Sequence, residues 1–260
     1  MQAAIGAPGP ILLRKVRPDA PWRWLAAGWA DVTAAPGAAF GIGLAVTVLS
    51  LVIVGGLWVM GLAPLIPAAA GGFALVGPLL AAGLYELSRR RDEGMPITFT
   101  GLLRPRLAAP GQVALAGFAL LFLLLVWARI ATLLYALFAG SDKPVRLGDF
   151  VGWALGTGDG LAMIAIGSVF GAGIAFVAFA ISAIAVPLLT RRDVDIITAM
   201  GASVGAITQN PGAMLNWAWI IALSTAFALA TLFLGLIVIF PLLGCATYRA
   251  CQDLVEGLDS

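Results

Sequence analysis

Histidine is absent from the 260 residues. Haem and copper centres of membrane oxidases, and many zinc sites, rest on imidazole ligands, so no centre of that kind can be built from this chain. A Ser–His–Asp triad is excluded for the same reason. Charge is also scarce: Asp, Glu, Lys and Arg make up 11% of the residues, less than half of the roughly 25% found in soluble domains. Cysteine occurs only at Cys245 and Cys251. Their spacing puts them on different sides of a helix, where they read as packing residues in or near the cytoplasmic half. Met1–Trp24 lacks an apolar run followed by a small-residue cleavage site, so no secretory signal is read there and insertion is expected to depend on the first membrane helix.

What the chain does have is apolar surface. Hydrophobic residues make up 61% and the mean hydropathy is +1.02, so the surface is expected to face lipid. The 32 glycines and 15 prolines are interspersed with Leu, Ile, Val and Phe, as membrane helices tolerate. A net charge of +2 is too small to point to a nucleic-acid partner.

About 20 apolar residues cross the hydrocarbon core. Four spans are read at Gly37–Leu62, Leu65–Leu87, Gly111–Ala139 and Leu161–Leu189. The stretch Ala213–Leu254 carries one basic residue, Arg249, and as a single straight helix it would be about 63 Å long. Two spans meeting near Leu234-Gly235 fit the bilayer better, giving six; one long helix is the alternative. With six, both termini share a side with the loops Ser88–Pro110 and Thr190–Pro211. That side collects Arg14, Lys15, Arg17, Arg23, Arg89, Arg90, Arg91, Arg104, Arg106, Arg191, Arg192 and Arg249, against Lys143 and Arg146 opposite. By the positive-inside rule both termini are cytoplasmic.

A repeat is visible. Ala35-Pro36-Gly37, Ala109-Pro110-Gly111 and Asn210-Pro211-Gly212 open the odd-numbered spans, and Pro78-Leu79-Leu80, Pro187-Leu188-Leu189 and Pro241-Leu242-Leu243 fall in the even-numbered ones. Trp22, Leu25, Trp29 and Val32 precede Pro36 at the same distances as Ile197, Met200, Val204 and Ile207 precede Pro211, a 3-4-3 spacing that makes one apolar helix face. In the middle unit Phe99 and Leu103 fit, but Arg106 and Pro105 break the register. The fold read from this is an all-α polytopic membrane bundle of six transmembrane helices in three hairpin repeats. Each hairpin follows a cytoplasmic amphipathic or irregular interfacial segment. Residues 1–20 read as a disordered N-terminal cytoplasmic tail and 21–256 as one membrane domain, with units at about 21–92, 96–192 and 194–256.

Few residues suggest chemistry. Arg129 lies well within the third span, where a charge costs about 2.5 kcal/mol or more and is expected to face the protein interior. Asp149 and Asp159 in the outer segment are candidate partners; an anion or gating site, a structural ion pair and a snorkelling side chain are all open readings. Glu86, beside Arg89 and Arg90, reads as a solvated interfacial pair. Asn216 reads as an interhelical hydrogen-bonding residue, and its neighbours Trp217 and Trp219 as an interface belt. Gly167 and Gly171 form a GxxxG step suited to a close helix contact. Leu147–Leu155 is expected to form a short outer helix with Phe150 and Trp153 at the interface. Gly156-Thr157-Gly158-Asp159-Gly160 only superficially resembles a phosphate loop, lacking the strand before it and the Lys after it.

The segments 210–217, 232–236 and 240–248, together with Ala27–Asp31 and Trp127–Arg129, resemble a bacterial family of predicted integral membrane proteins, domain of unknown function 2189. The resemblance runs over about residues 20–256. It implies a bacterial inner-membrane protein; members have no established activity, and some carry a cytochrome c oxidase label. Where the family often has Gly-His-Ala-Thr-Trp-His, this chain has Gly244-Cys245-Ala246-Thr247-Tyr248-Arg249, so any metal or haem held by that histidine pair in relatives is not held here. The expectation is a non-enzymatic accessory or scaffold protein without cofactor, its partners the lipid bilayer and another membrane complex. A small-molecule transporter or channel is the alternative. Prolines in three hairpins suggest a carrier-like arrangement, but the charged residues that should follow a carrier proline are missing.

Overall fold

The computed structural model describes residues 11–62, 65–140 and 147–258. Within them the chain forms α1 (Ala20–Ala34), α2 (Pro36–Val59), α3 (Ile66–Leu80), α4 (Ala82–Asp92), α5 (Phe99–Leu102), α6 (Pro110–Phe138), α7 (Leu147–Gly156), α8 (Gly158–Ser182), α9 (Ala185–Arg191), α10 (Ile196–Gln209), α11 (Pro211–Ala230) and α12 (Leu236–Leu254). No sheet is present among the described residues; one isolated antiparallel bridge joins Leu13 to Val255. Lys143 and Arg146 lie outside the described residues.

Among the described residues five stretches are long and apolar enough to cross a membrane: Pro36–Val59, Ala69–Asp92, Pro110–Phe138, Gly158–Arg191 and Pro211–Ala230. The protein is thus a multi-pass membrane protein by length and composition. α12 is apolar in its first half, but Arg249, Gln252 and Asp253 populate its end. Pro36, Pro110 and Pro211 each begin a long helix, where the missing N–H had no partner in any case. The prolines of the even helices act differently. Pro187 removes the bond to Ala183, and the helix breaks at Ala183–Ile184 between α8 and α9. The Ile184 amide that the break exposes donates instead to Ser203 Oγ on α10, at 3.2 Å.

The stretch 211–254 is a pair of helices and not one rod. The turn between them uses left-handed backbone at Leu232 (φ 52) and Phe233 (φ 68). Gly235 has an ordinary right-handed φ of −59 and serves a different need: a Cβ there would lie 2.9 Å from Ala228 Cα and 2.7 Å from Thr231 Oγ1. Thr231 Oγ1 closes the turn by accepting from the Gly235 amide at 2.9 Å. Thr47 of α2 donates to the Phe233 carbonyl at 3.3 Å, tying the turn to the first long helix.

The core lies at the end of the bundle that carries both chain ends. There α4, α9 and the second half of α12 pack against one another and bury Leu84, Tyr85, Leu87, Leu188, Leu189, Cys245, Tyr248 and Cys251. Around them, α1 lies along α12, α5 on α4, and α10 on α9; α2 packs on α12 and α6 on α3. Gly28 of α1 makes the first contact possible, since a Cβ there would sit 2.6 Å from the Ala246 amide nitrogen. Gly43 similarly lets α2 close onto the Ile237 backbone.

The apolar positions read on the two amphipathic helices divide between inside and outside. On α1 the buried side is Pro21, Trp24, Gly28 and Asp31 with Val32, while Trp22 and Trp29 are exposed. On α10 the buried side is Ala199, Ala202, Ser203 and Ala206, while Ile197 and Val204 are exposed. Val32 is fully buried and Leu25, Met200 and Ile207 pack on the core, so each apolar face is shared between the protein interior and its surroundings. The N-terminal segment also departs from the expected free tail. The Arg14 amide donates to the Leu254 carbonyl at 2.8 Å and the Glu256 amide to the Leu12 carbonyl at 3.0 Å. Buried Asn210 receives the Val16 amide at 2.8 Å and donates to the Arg14 carbonyl at 3.1 Å.

Candidate functional site

The richest polar cluster joins α1, α4 and α12 near the chain ends. α1 contributes Asp31, one turn beyond Gly28 on its inward face, and the side chain is fully buried. α12 contributes Arg249, whose Nε donates to Asp31 Oδ2 at 2.8 Å and whose Nη2 donates to Oδ1 at 2.6 Å. This two-point geometry is the strong form of a carboxylate–guanidinium pair. α4 adds Ser88, donating to Oδ2 at 2.6 Å, and Arg91, donating to Oδ1. Arg249 Nη1 reaches on to Asp92 Oδ2 at 3.0 Å and Gln252 Oε1 at 2.8 Å, and Gln252 Nε2 closes the ring on Asp92 at 2.9 Å.

Two carboxylates thus meet two guanidiniums; Asp31 is fully buried and Arg249 largely so, while Arg91 and Asp92 are exposed. Removing either member of the Asp31–Arg249 pair leaves a charge uncompensated, at a cost of roughly 3–5 kcal/mol. The Ser88 hydroxyl proton is spent on Asp31. The cluster's chemistry is that of a clamp across three helices. Beside it Arg191 of α9 donates to Tyr248 Oη at 2.6 Å and to the Leu258 carbonyl at 2.8 Å, extending the clamp to a fourth helix. Among the described residues no three His, Cys, Asp or Glu side chains gather as metal ligands.

Glu86 departs from its sequence reading. Its carboxylate is 1% exposed, where a solvated pair was expected. Arg89 binds it through Nε at 2.7 Å and Nη2 at 2.6 Å, and Arg90 Nε adds a bond at 2.7 Å. Cys245 and Cys251 are both buried and free. They face Leu84 and Ile184 on different sides of α12, as packing residues should.

The sequence-derived polar residues do not assemble. Arg129 is exposed on α6 and forms no ion pair among the described residues; Asp149 and Asp159 are exposed on α7 and α8. Arg129 shares its stripe with Phe118, Phe122, Leu125 and Leu133, all exposed, so it points outward and not into the protein as expected. Its neighbour Trp127 takes the inward place, between Gly71 of α3 and Gly171 of α8. Asn216 donates to the Pro18 carbonyl at 3.4 Å, a contact to the N-terminal segment in place of another membrane helix. Trp219 is 66% exposed, but Trp217 is fully buried, edge-on to Trp24 at 5.8 Å. The GxxxG step does pack: Gly171 meets Trp127 and Gly167 meets Leu134, both on α6. Phe150 and Trp153 of α7 stack with Tyr135.

Residues 65–191 match the family model described as predicted integral membrane protein (DUF2189). That stretch belongs to the DUF2189 family. No curated protein and no solved structure matches the chain. The DUF2189 stretch takes in α3 to α9 and so contains Glu86, Ser88, Arg91 and Arg129. Asp31 and Arg249 lie outside it, although they complete the clamp that begins on its α4. Asp31 was legible in principle: moving the α1 register by one residue aligns Trp24, Gly28 and Asp31 on a helix face.

Proposed function

We propose that this is a six-crossing bacterial inner-membrane protein with both ends cytoplasmic, and that it is a non-enzymatic accessory or scaffold for another membrane complex. The observation that carries the partner reading is Arg129. A guanidinium on an outward apolar stripe, about ten residues and so roughly 15 Å from the end of its span, costs about 2.5–3.5 kcal/mol in hydrocarbon. A carboxylate on a membrane helix of another protein would offset that cost. A transport site would instead need the charge to line an interior path.

The six-crossing reading draws support from parity. Five crossings would separate the chain ends, whereas Leu13 and Val255 pair directly, an arrangement that six crossings with α12 as the last would satisfy. The threefold hairpin reading draws support from the contacts, in which α1, α5 and α10 each rest on the end of the preceding even helix, the first unit on the last. Tyr85 and Tyr248, both buried, each lie seven residues beyond the Pro of their unit. Among the described residues α8 and α11 do not pack together as α2 does with α12 and α6 with α3. The charge asymmetry of the loops supports cytoplasmic ends.

Extraction from native membranes in mild detergent tests the partner reading. Co-purification of a membrane protein with the wild type, and its loss with Arg129→Leu, is expected. A reproducible monomer without partner, or a complex indifferent to Arg129→Leu, would contradict it. The alternative, a transporter or channel, is favoured by the helix breaks at Ala81 and Ala183–Ile184; solute flux in liposomes would establish it.

A further inference from the structure

Beyond the clamp, a second cationic feature lies where α4 meets the α5 segment. An open cleft of about 590 Å³ is lined by Arg90, Thr98, Thr100, Gly101, Leu103 and Arg104. Thr98 is in extended backbone and its hydroxyl accepts the Gly101 amide at 3.2 Å. Gly101 leaves the floor open: a Cβ there would lie 2.8 Å from Arg90 Nη1 and 2.9 Å from Thr98 Oγ1. Arg90 is held in place by Glu86 through Nε and by the Pro96 carbonyl at 3.1 Å. Glu86 is shared between Arg89 and Arg90, and Glu93 is engaged by Arg89. Arg104 is exposed and makes no ion pair among the described residues.

The cleft also lies beside the start of the first span. The Phe99 ring approaches the Cβ position of Gly41 to 3.1 Å, five residues past the Pro36 that opens the first span. Phe99 and Leu103 present exposed apolar surface beside the two guanidiniums and two hydroxyls. Cations and hydroxyls suit a phosphate, and adjacent apolar side chains suit the acyl chains attached to it. We propose that this cleft binds the phosphate headgroup of an anionic phospholipid.

The test is native mass spectrometry of the full-length protein in detergent micelles titrated with phosphatidylglycerol or phosphatidylcholine. Preferential retention of phosphatidylglycerol is expected, weakened about tenfold by Arg104→Ala, the loss of one charge-assisted hydrogen bond. Arg106→Ala removes the same charge two residues away, outside the lining, and should leave retention unchanged. Gly101→Leu, which fills the cleft without altering charge, should weaken it as Arg104→Ala does. Equal losses from Arg104→Ala and Arg106→Ala would reveal a diffuse basic surface and overturn the site. Displacement of the lipid by inorganic phosphate would overturn the assignment to a lipid. Arg104 is exposed and unpaired, so its variant reads the site and not the fold.

Discussion

Leu13 and Val255 face each other as an antiparallel pair flanked by two backbone hydrogen bonds, Arg14 to Leu254 and Glu256 to Leu12. The flanking bonds make this the close, non-hydrogen-bonded type of pair, with Cα atoms about 4.5 Å apart. That separation suits a disulfide. In a background with Cys245 and Cys251 replaced by Ala, a Leu13→Cys/Val255→Cys protein should oxidise to a cross-linked monomer that migrates faster on a non-reducing gel. Reduction should reverse the shift, and neither single variant should show it.

The Asp31–Arg249 pair predicts the largest loss of stability from an isosteric change. Asp31→Asn keeps the shape but leaves Arg249 and Arg91 without their shared counter-charge, at a cost of about 3–5 kcal/mol. Thermal unfolding in detergent should show a much lower midpoint for Asp31→Asn. Adding Arg249→Gln to it should cost far less than the sum of the single changes, because the two residues act as a unit.

Gly28 makes a separate steric prediction. Gly28→Val should push α1 off α12, since its Cβ would meet the Ala246 backbone at 2.6 Å. The loss should be about 2 kcal/mol or more, in the range of severe core overpacking. Gly37→Ala at the start of α2 has open space around it and should leave the unfolding midpoint unchanged.

Asp195 gives the pH dependence. It caps α10, accepting from the Thr198 hydroxyl at 2.6 Å and the Thr198 amide at 2.9 Å. These bonds, the hydroxyl first, hold its carboxyl below the ordinary value. A lowered folded pKa means that the cap contributes stability above the unfolded value of about 3.9 and loses it as pH falls through the folded one. Asp195→Ala should therefore unfold below the wild type at neutral pH, and the gap should narrow as the pH drops beneath 4 or so.

The legible part of this fold is its apolar bookkeeping: the Pro-Gly helix starts, the long runs and the α7 helix all sit where the pattern puts them. The paired helices of 211–254 were harder to place, because Leu232 and Phe233 adopt the left-handed backbone that glycine usually signals, while Gly235 serves close packing. The innermost contacts of α1 and α10 rest on small and polar residues such as Gly28, Asp31, Ala199 and Ser203, which hydrophobic periodicity does not register. In a membrane an apolar face can point to lipid, and here Trp22, Trp29, Ile197 and Val204 do point outward. The clamp escaped for a related reason: Asp31, Arg91 and Arg249 come from helices far apart in the chain, and only Gly28 hints at the close approach that joins them.

The central claim is that α12 completes a sixth crossing and returns the chain to the side of its start. Paired reporter fusions in a bacterial host measure this directly: green fluorescent protein, active in the cytoplasm, and alkaline phosphatase, active outside it, joined after Leu234 and after Ser260. The account predicts phosphatase activity at Leu234 and fluorescence at Ser260, with an N-terminal fluorescent fusion also bright. Phosphatase activity at Ser260 together with a bright N-terminal fusion would contradict it.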